Sequence, residues 1–236
     1  MPNPVLLNNI DHQNMRIIGE RSARYGDSVM YTLALPSEFR DLQAHYPIVF
    51  RKTDDGTAFE SVALFGFQDG ENLFLQDTGW DASYIPFTIE RQPFLIGVAG
   101  PELMVHVDLD NPRISTDQGE ALFLPHGGTT EYLERMNSLL LAIHQGVQSM
   151  PPFIATLLEL ELLESFVLDV ELNNGAQHRL IGFYTINEDK LNALDGATLH
   201  RLHRAGYLQA IYMALASLSN FRALTERKNR LHDRAQ

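Results

Sequence analysis

Val29, Tyr31, Leu33 and Leu35 alternate at a period of two with smaller or neutral residues, which predicts a strand that Pro36 ends. Residues 48–50 read as a second short strand ahead of the turn Asp54-Asp55-Gly56. Residues 61–67 and 72–75 flank Asp69-Gly70, a dipeptide suited to the left-handed pair of a type I′ turn, and predict a hairpin. Further strands are expected over 94–98, 104–107 and 121–124. Residues 1–28 show little periodicity and read as a polar, loop-rich segment.

After Gly127-Gly128-Thr129 the period changes. Leu133, Met136, Leu140, Ile143 and Val147 lie three and four apart on one helical face, and Thr129 or Thr130 can cap the first turn. Pro151-Pro152 is expected to stop this helix and start another over 153–163. Alternation returns through Phe166, Leu168, Val170 and Leu172, and Asn173-Asn174-Gly175 turns the chain into a strand over 178–186. Helices are expected over 188–194, 198–205 and 207–224, the last with Leu208, Ile211, Leu215 and Leu218 facing inward. Strands joined as meanders and hairpins predict an α+β fold: an antiparallel β-rich N-terminal half packed with a helical C-terminal half that holds one further hairpin. The organisation expected is a polar segment 1–28, a single domain 29–225 and a basic tail 226–236.

Charge and composition narrow the function. A net charge of -12 argues against wholesale nucleic-acid binding, which needs a concentrated basic face. The absence of cysteine excludes disulfides, zinc fingers, iron–sulfur clusters and thiol nucleophiles. The N-terminal residues have neither the basic nor the apolar stretch of a secretory signal, and the apolar uncharged run 205–221 is shorter than the roughly 20 residues of a membrane span. A cytoplasmic protein with no membrane span is expected. Residues 222–236 carry five basic and two acidic residues, which suits either a solvated helix end or a docking arm for an acidic partner.

Chemistry-bearing constellations are sparse. His106 and Asp108 stand two apart on an expected strand and so point to one side; with His178 they would supply the facial triad of a mononuclear non-haem iron oxygenase. The bland alternative is that H-x-D arises by chance and that His178 is an ordinary turn histidine. His200 and His203 could share a metal on a helix, although Arg201 and Arg204 beside them repel a cation. No P-loop and no nucleophile elbow is present. Between Tyr46 and Phe94 lie ten aromatics in 49 residues. Trp80, Tyr84, Arg91 and Phe94, with Asn72 and His45, form the kit of a recognition surface, in which the aromatics supply area and the arginine a planar fork for a carboxylate. The competing reading makes Trp80, Tyr84 and Phe94 plain core.

The same stretch carries a family resemblance. His45-Tyr46-Pro47-Ile48-Val49-Phe50, Ala63-Leu64-Phe65-Gly66-Phe67, Gly70-Glu71-Asn72-Leu73-Phe74, Gly79-Trp80 and Tyr84-Ile85-Pro86, then Gly119-Glu120-Ala121-Leu122-Phe123, Gly182-Phe183-Tyr184 and Lys190-Leu191-Asn192-Ala193-Leu194, resemble the SapC family in an ordered set over about residues 25–225. Where such proteins tend to read Arg-Tyr-Pro-Phe, this chain has Arg91-Gln92-Pro93-Phe94, so any role of that tyrosine is absent. The resemblance implies a surface-layer association by name. It also implies a gene context of flavin-dependent halogenase-like and cupin-like proteins and outer-membrane receptors, and it carries over no catalytic residue. The peptide-transporter permease of the same label is a different protein. The reading that results is an accessory or binding protein with a protein or peptide partner, no cofactor and room for a small homo-oligomer. The alternatives are an iron oxygenase and a surface-layer component.

Overall fold

A computed structural model of the chain describes residues 3–99 and 102–234. Its helices are α1 (Phe39–Leu42), α2 (Phe87–Glu90), α3 (Glu131–Glu159), α4 (Glu188–Asn192), α5 (Gly196–Arg204), α6 (Tyr207–Ser217) and α7 (Asn220–Arg234). The fold is α+β, with antiparallel sheets supplied mostly by the N-terminal half and helices mostly by the C-terminal half. Internal contacts divide the chain into two units. One comprises the chain up to Asp27, Leu75–Trp80 and Phe87–Gln145; the other comprises Ser28–Phe74, Asp81–Pro86 and the chain from Gly146 onward.

The first unit is built on a three-stranded antiparallel sheet in the order Pro4–Leu6, Glu102–Asp108, Phe94–Ala99. Two segments of the polar N-terminal stretch therefore enter sheets, because Arg16–Ile17 also pairs with Ile114–Ser115 and Glu120–Ala121. The strand expected over 121–124 contracts to Glu120–Ala121. Phe123 beyond it makes only an isolated bridge to Thr129. Leu133, Met136, Leu139 and Leu140 of α3 close the core over Met15, Ile17, Phe94, Val107 and Leu122.

Within the three-stranded sheet Leu95 and Leu6 flank His106, and a Cβ placed on Gly97 would stand 2.3 Å from the imidazole Cε1. Glycine is needed here for space. Gly97→Ala is expected to lower stability by about 1–3 kcal/mol. His106→Ala in the same chain should recover part of that loss, a coupling that a thermal-melt double-mutant cycle measures.

The second unit holds a five-stranded antiparallel sheet ordered Leu163–Glu171, Gln177–Ile186, Ile48–Lys52, Phe59–Leu64, Tyr31–Leu33. Ile48, Val49 and Phe50 are all buried, as a central strand covered on both faces requires. Phe153 of α3 lies 6.2 Å from the Phe39 ring, 6.4 Å from Phe50 and 5.3 Å from Tyr207, which ties α3, α1, α6 and the sheet together. The 163–186 hairpin forms as its alternation predicts, with a bulge between Phe166 and Leu168.

Four expectations need correction. Pro151 and Pro152 do not end the helix: α3 runs unbroken from Glu131 to Glu159. Two amide donors are lost and an interior proline costs about 3 kcal/mol. Burial of Met150, Phe153, Ile154 and Leu157 at helical spacing offsets that, at roughly 1.5–3 kcal/mol for each large side chain. Val147, expected inside, is 46% exposed, and the neighbouring Gly146 meets Leu35 instead.

The single helix expected over 207–224 breaks into α6 and α7 at Leu218–Ser219. Ser219 Oγ donates to the Ala216 carbonyl and Asn220 Nδ2 to the Gln43 carbonyl, the kind of local bonding that competes with a helix ladder. Its buried face is Ala210, Ile211, Ala214 and Ser217, while Leu208, Leu215 and Leu218 are only half-buried.

Asp69-Gly70 makes a turn, with Gly70 at φ 74, but no hairpin stands on it. The strand before it stops at Leu64; after it Leu73 donates one bond back to the Phe65 carbonyl, and Leu75 and Gln76 pair onward with Trp80 and Gly79. At Gly66 the chain folds back so closely that an added Cβ would lie 2.6 Å from the Glu71 carbonyl oxygen, too tight for a two-stranded ladder.

Candidate functional site

The six residues singled out as a recognition surface fall in both units. Trp80, Arg91 and Phe94 belong to the first, and His45, Asn72 and Tyr84 to the second.

In the first unit Trp80 sits opposite Leu75 in a two-residue ladder and is half-buried. Arg91 follows α2 and its Nη1 donates to the Phe94 carbonyl at 2.6 Å, while burial holds the guanidinium pKa below its ordinary value. Phe94 is fully buried, opposite Val107 and 6.3 Å from the Tyr132 ring. One fork of Arg91 thus closes its own turn. The same unit buries a charge cluster that sequence reading missed. Asp27 and Arg113, both almost wholly buried, pair at 2.6 Å, and Arg21 reaches the other Asp27 oxygen at 3.4 Å. Burial, and then the nearby Arg113, lower the Arg21 pKa. Burial pushes the Tyr132 hydroxyl up to about 12. No local pattern announces a pair 86 residues apart in sequence.

In the second unit Tyr46, Phe65 and Phe74 form a cluster of edge-to-face rings, with Tyr46 and Phe74 at 4.7 Å. The Tyr46 hydroxyl donates to the Tyr84 carbonyl, and the Tyr84 hydroxyl donates to Glu38 Oε1 at 2.7 Å. His45 Nε2 meets Ser83 Oγ at 2.7 Å; burial, and then the Arg227 charge, lower its pKa and favour the neutral ring. Asn72 accepts the Phe74 amide, which fixes the loop ahead of Phe74. The basic tail is drawn in as well. Arg227 lies 4.3 Å over the Phe74 ring and donates to Asp81, while Lys228 pairs with Glu71, whose second oxygen accepts the Phe67 amide.

The three residues of the alternative iron site also fall in both units. His106 packs on Gly97, Asp108 accepts the amides of Asn3 and Asp110, and His178 stacks on Phe67 at 6.2 Å. Among the described residues no group of three or more His, Cys, Asp or Glu is placed to hold a metal ion. An open depression of about 460 Å³ at the tip of the 163–186 hairpin is lined by Asp169, Glu171, Gln177, His178 and Arg179, of which Arg179 and Asp169 already pair. No helix of the described residues is long and apolar enough to cross a membrane.

These features define an α+β protein with a buried ion cluster in one unit and an aromatic cluster in the other. The SapC family model matches residues 7–224, and the chain belongs to that family. No curated protein and no solved structure matches the chain.

Proposed function

We propose that the protein is a non-catalytic accessory or binding protein that engages a protein or peptide partner. One observation carries the reading. The side chains with chemical potential (His45, Tyr84, Arg91, Asp108, and the pair Asp27 and Arg113) each hold a bond that shapes the fold. Catalytic groups, by contrast, are aimed at a reacting centre and held ready for it. A partner enzyme, such as a flavin-dependent halogenase-like or cupin-like protein, is the partner class that the family resemblance suggests, and the cytoplasm is the compartment. Capture from a native lysate on the immobilised full-length chain tests this, with mass spectrometry of bound proteins and small molecules. A protein retained in stoichiometric amount is expected. Retention of a small molecule that the purified chain converts to product would overturn the reading.

A further inference from the structure

Residues 196–225 contain three arginines, two histidines and no carboxylate, in a chain with 30 Asp and Glu. They form α5, α6 and the start of α7. Helix N-termini are positive and ordinarily draw an acidic residue into the first turn; α6 and α7 have none, and Arg222 sits in the first turn of α7. Arg201 pairs with Glu159, and Arg222 is 89% exposed and pairs with Glu226. Its placement is electrostatically unfavourable for the helix it belongs to. Beside α6 runs a groove of about 230 Å³ whose floor includes Phe39, Ala210 and Met213 and whose rim carries Ser37, Arg40 and Gln209. Arg40 and Arg204 are exposed, and no described carboxylate pairs with either. Three residues beyond Gln209, on the same helical face, Tyr212 is 50% exposed.

We propose that the α1–α6 groove and the outer face of α6 dock an acidic amphipathic segment of a protein partner. Resting on the binding-protein reading above, this gives the partner its chemistry. The partner's apolar residues cover Met213 and Tyr212, and its carboxylates meet Arg40 and Arg204. Charge complementarity selects this occupant. Arg40 and Arg204 are exposed cations that no described carboxylate neutralises, so acidic side chains satisfy them. The face also lacks lysine, and its one large exposed side chain is Tyr212, too little apolar area for insertion into lipid.

The test uses two synthetic amphipathic helical peptides with the same Leu and Phe stripe, one with Glu and one with Lys on the polar face, read by fluorescence anisotropy against the full chain. The Glu peptide is expected to bind about tenfold or more tightly than the Lys peptide, and less tightly as salt rises. Arg40→Glu with Arg204→Glu should weaken it by about tenfold or more, and Tyr212→Ala by a smaller factor, with unchanged melting temperature because all three side chains are exposed. Equal binding of the two peptides, or binding indifferent to the charge reversals, would overturn the proposal. So would Arg40-dependent binding to phosphatidylglycerol vesicles without peptide binding, or a dimer that Tyr212→Glu dissolves. If lysate capture succeeds equally with wild type and the double Glu variant, this surface is wrong and the binding-protein reading stands. If wild type captures no protein, that reading falls instead.

Discussion

Asp27→Ala is expected to lower stability by about 3–5 kcal/mol, the cost of leaving a buried charge without its partner. Two guanidinium groups depend on this carboxylate, Arg113 at 2.6 Å and Arg21 at 3.4 Å, and Arg113 is 1% exposed. Arg113 also donates to the carbonyls of Ile18 and Glu20 and lies 5.2 Å from the Tyr25 ring, so it cannot swing out to water without releasing the 18–27 segment. Removing the cation is milder. Arg113→Met leaves Asp27 with Arg21 and the Ser22 amide, and should cost less than Asp27→Ala. The double substitution Asp27→Leu with Arg113→Met should recover much of the loss, because a well-packed apolar pair often equals a buried ion pair. Urea denaturation of the three variants measures the ordering. Asp27→Ala within 1 kcal/mol of wild type would show that the cluster is hydrated.

Lys228→Ala is expected to cost about 3 kcal/mol, which makes the basic tail a part of the fold. Its side chain is 6% exposed against a Glu71 side chain that is 9% exposed, and α7 carries it there together with Arg227. Glu71 keeps the Phe67 amide when Lys228 is lost, which places the effect at the lower end for a broken buried pair. Deleting residues 226–236 should destabilise at least as much, since it also removes Arg227 from Phe74 and Asp81 and Asn229 from the Asn173 amide. A docking arm free of the fold would instead be removable with no change in melting temperature. The tail's outward positions, Arg230 among them, remain open to a partner.

Much of the fold was legible where a pattern is local. The alternation through Phe166 to Leu172, the Asn173-Asn174-Gly175 turn and the strands expected over 94–98 and 104–107 follow from side-chain period and turn chemistry. The helix through Pro151-Pro152 was not legible. Local propensity argues for a break there, and only the burial of Phe153 and Leu157 overrides it. The break between α6 and α7 depends on Asn220 finding the Gln43 carbonyl, 177 residues away in sequence. The candidate site was legible as a set of residue types and not as a place. Trp80 and Tyr84 are four apart in sequence yet fall in different units, and Tyr84 is held by Glu38 and Tyr46, which no spacing rule connects to it.

On the proposed reading, the conspicuous histidines, carboxylates and aromatics maintain shape and contact a partner, with no bond made or broken. Elemental analysis of the chain purified from its native cells, with His106→Ala alongside, tests it most directly. Iron and zinc well below one equivalent, unchanged by the substitution, are the predicted result. One equivalent of metal in the wild-type chain, lost in His106→Ala while the fold persists, would contradict the account.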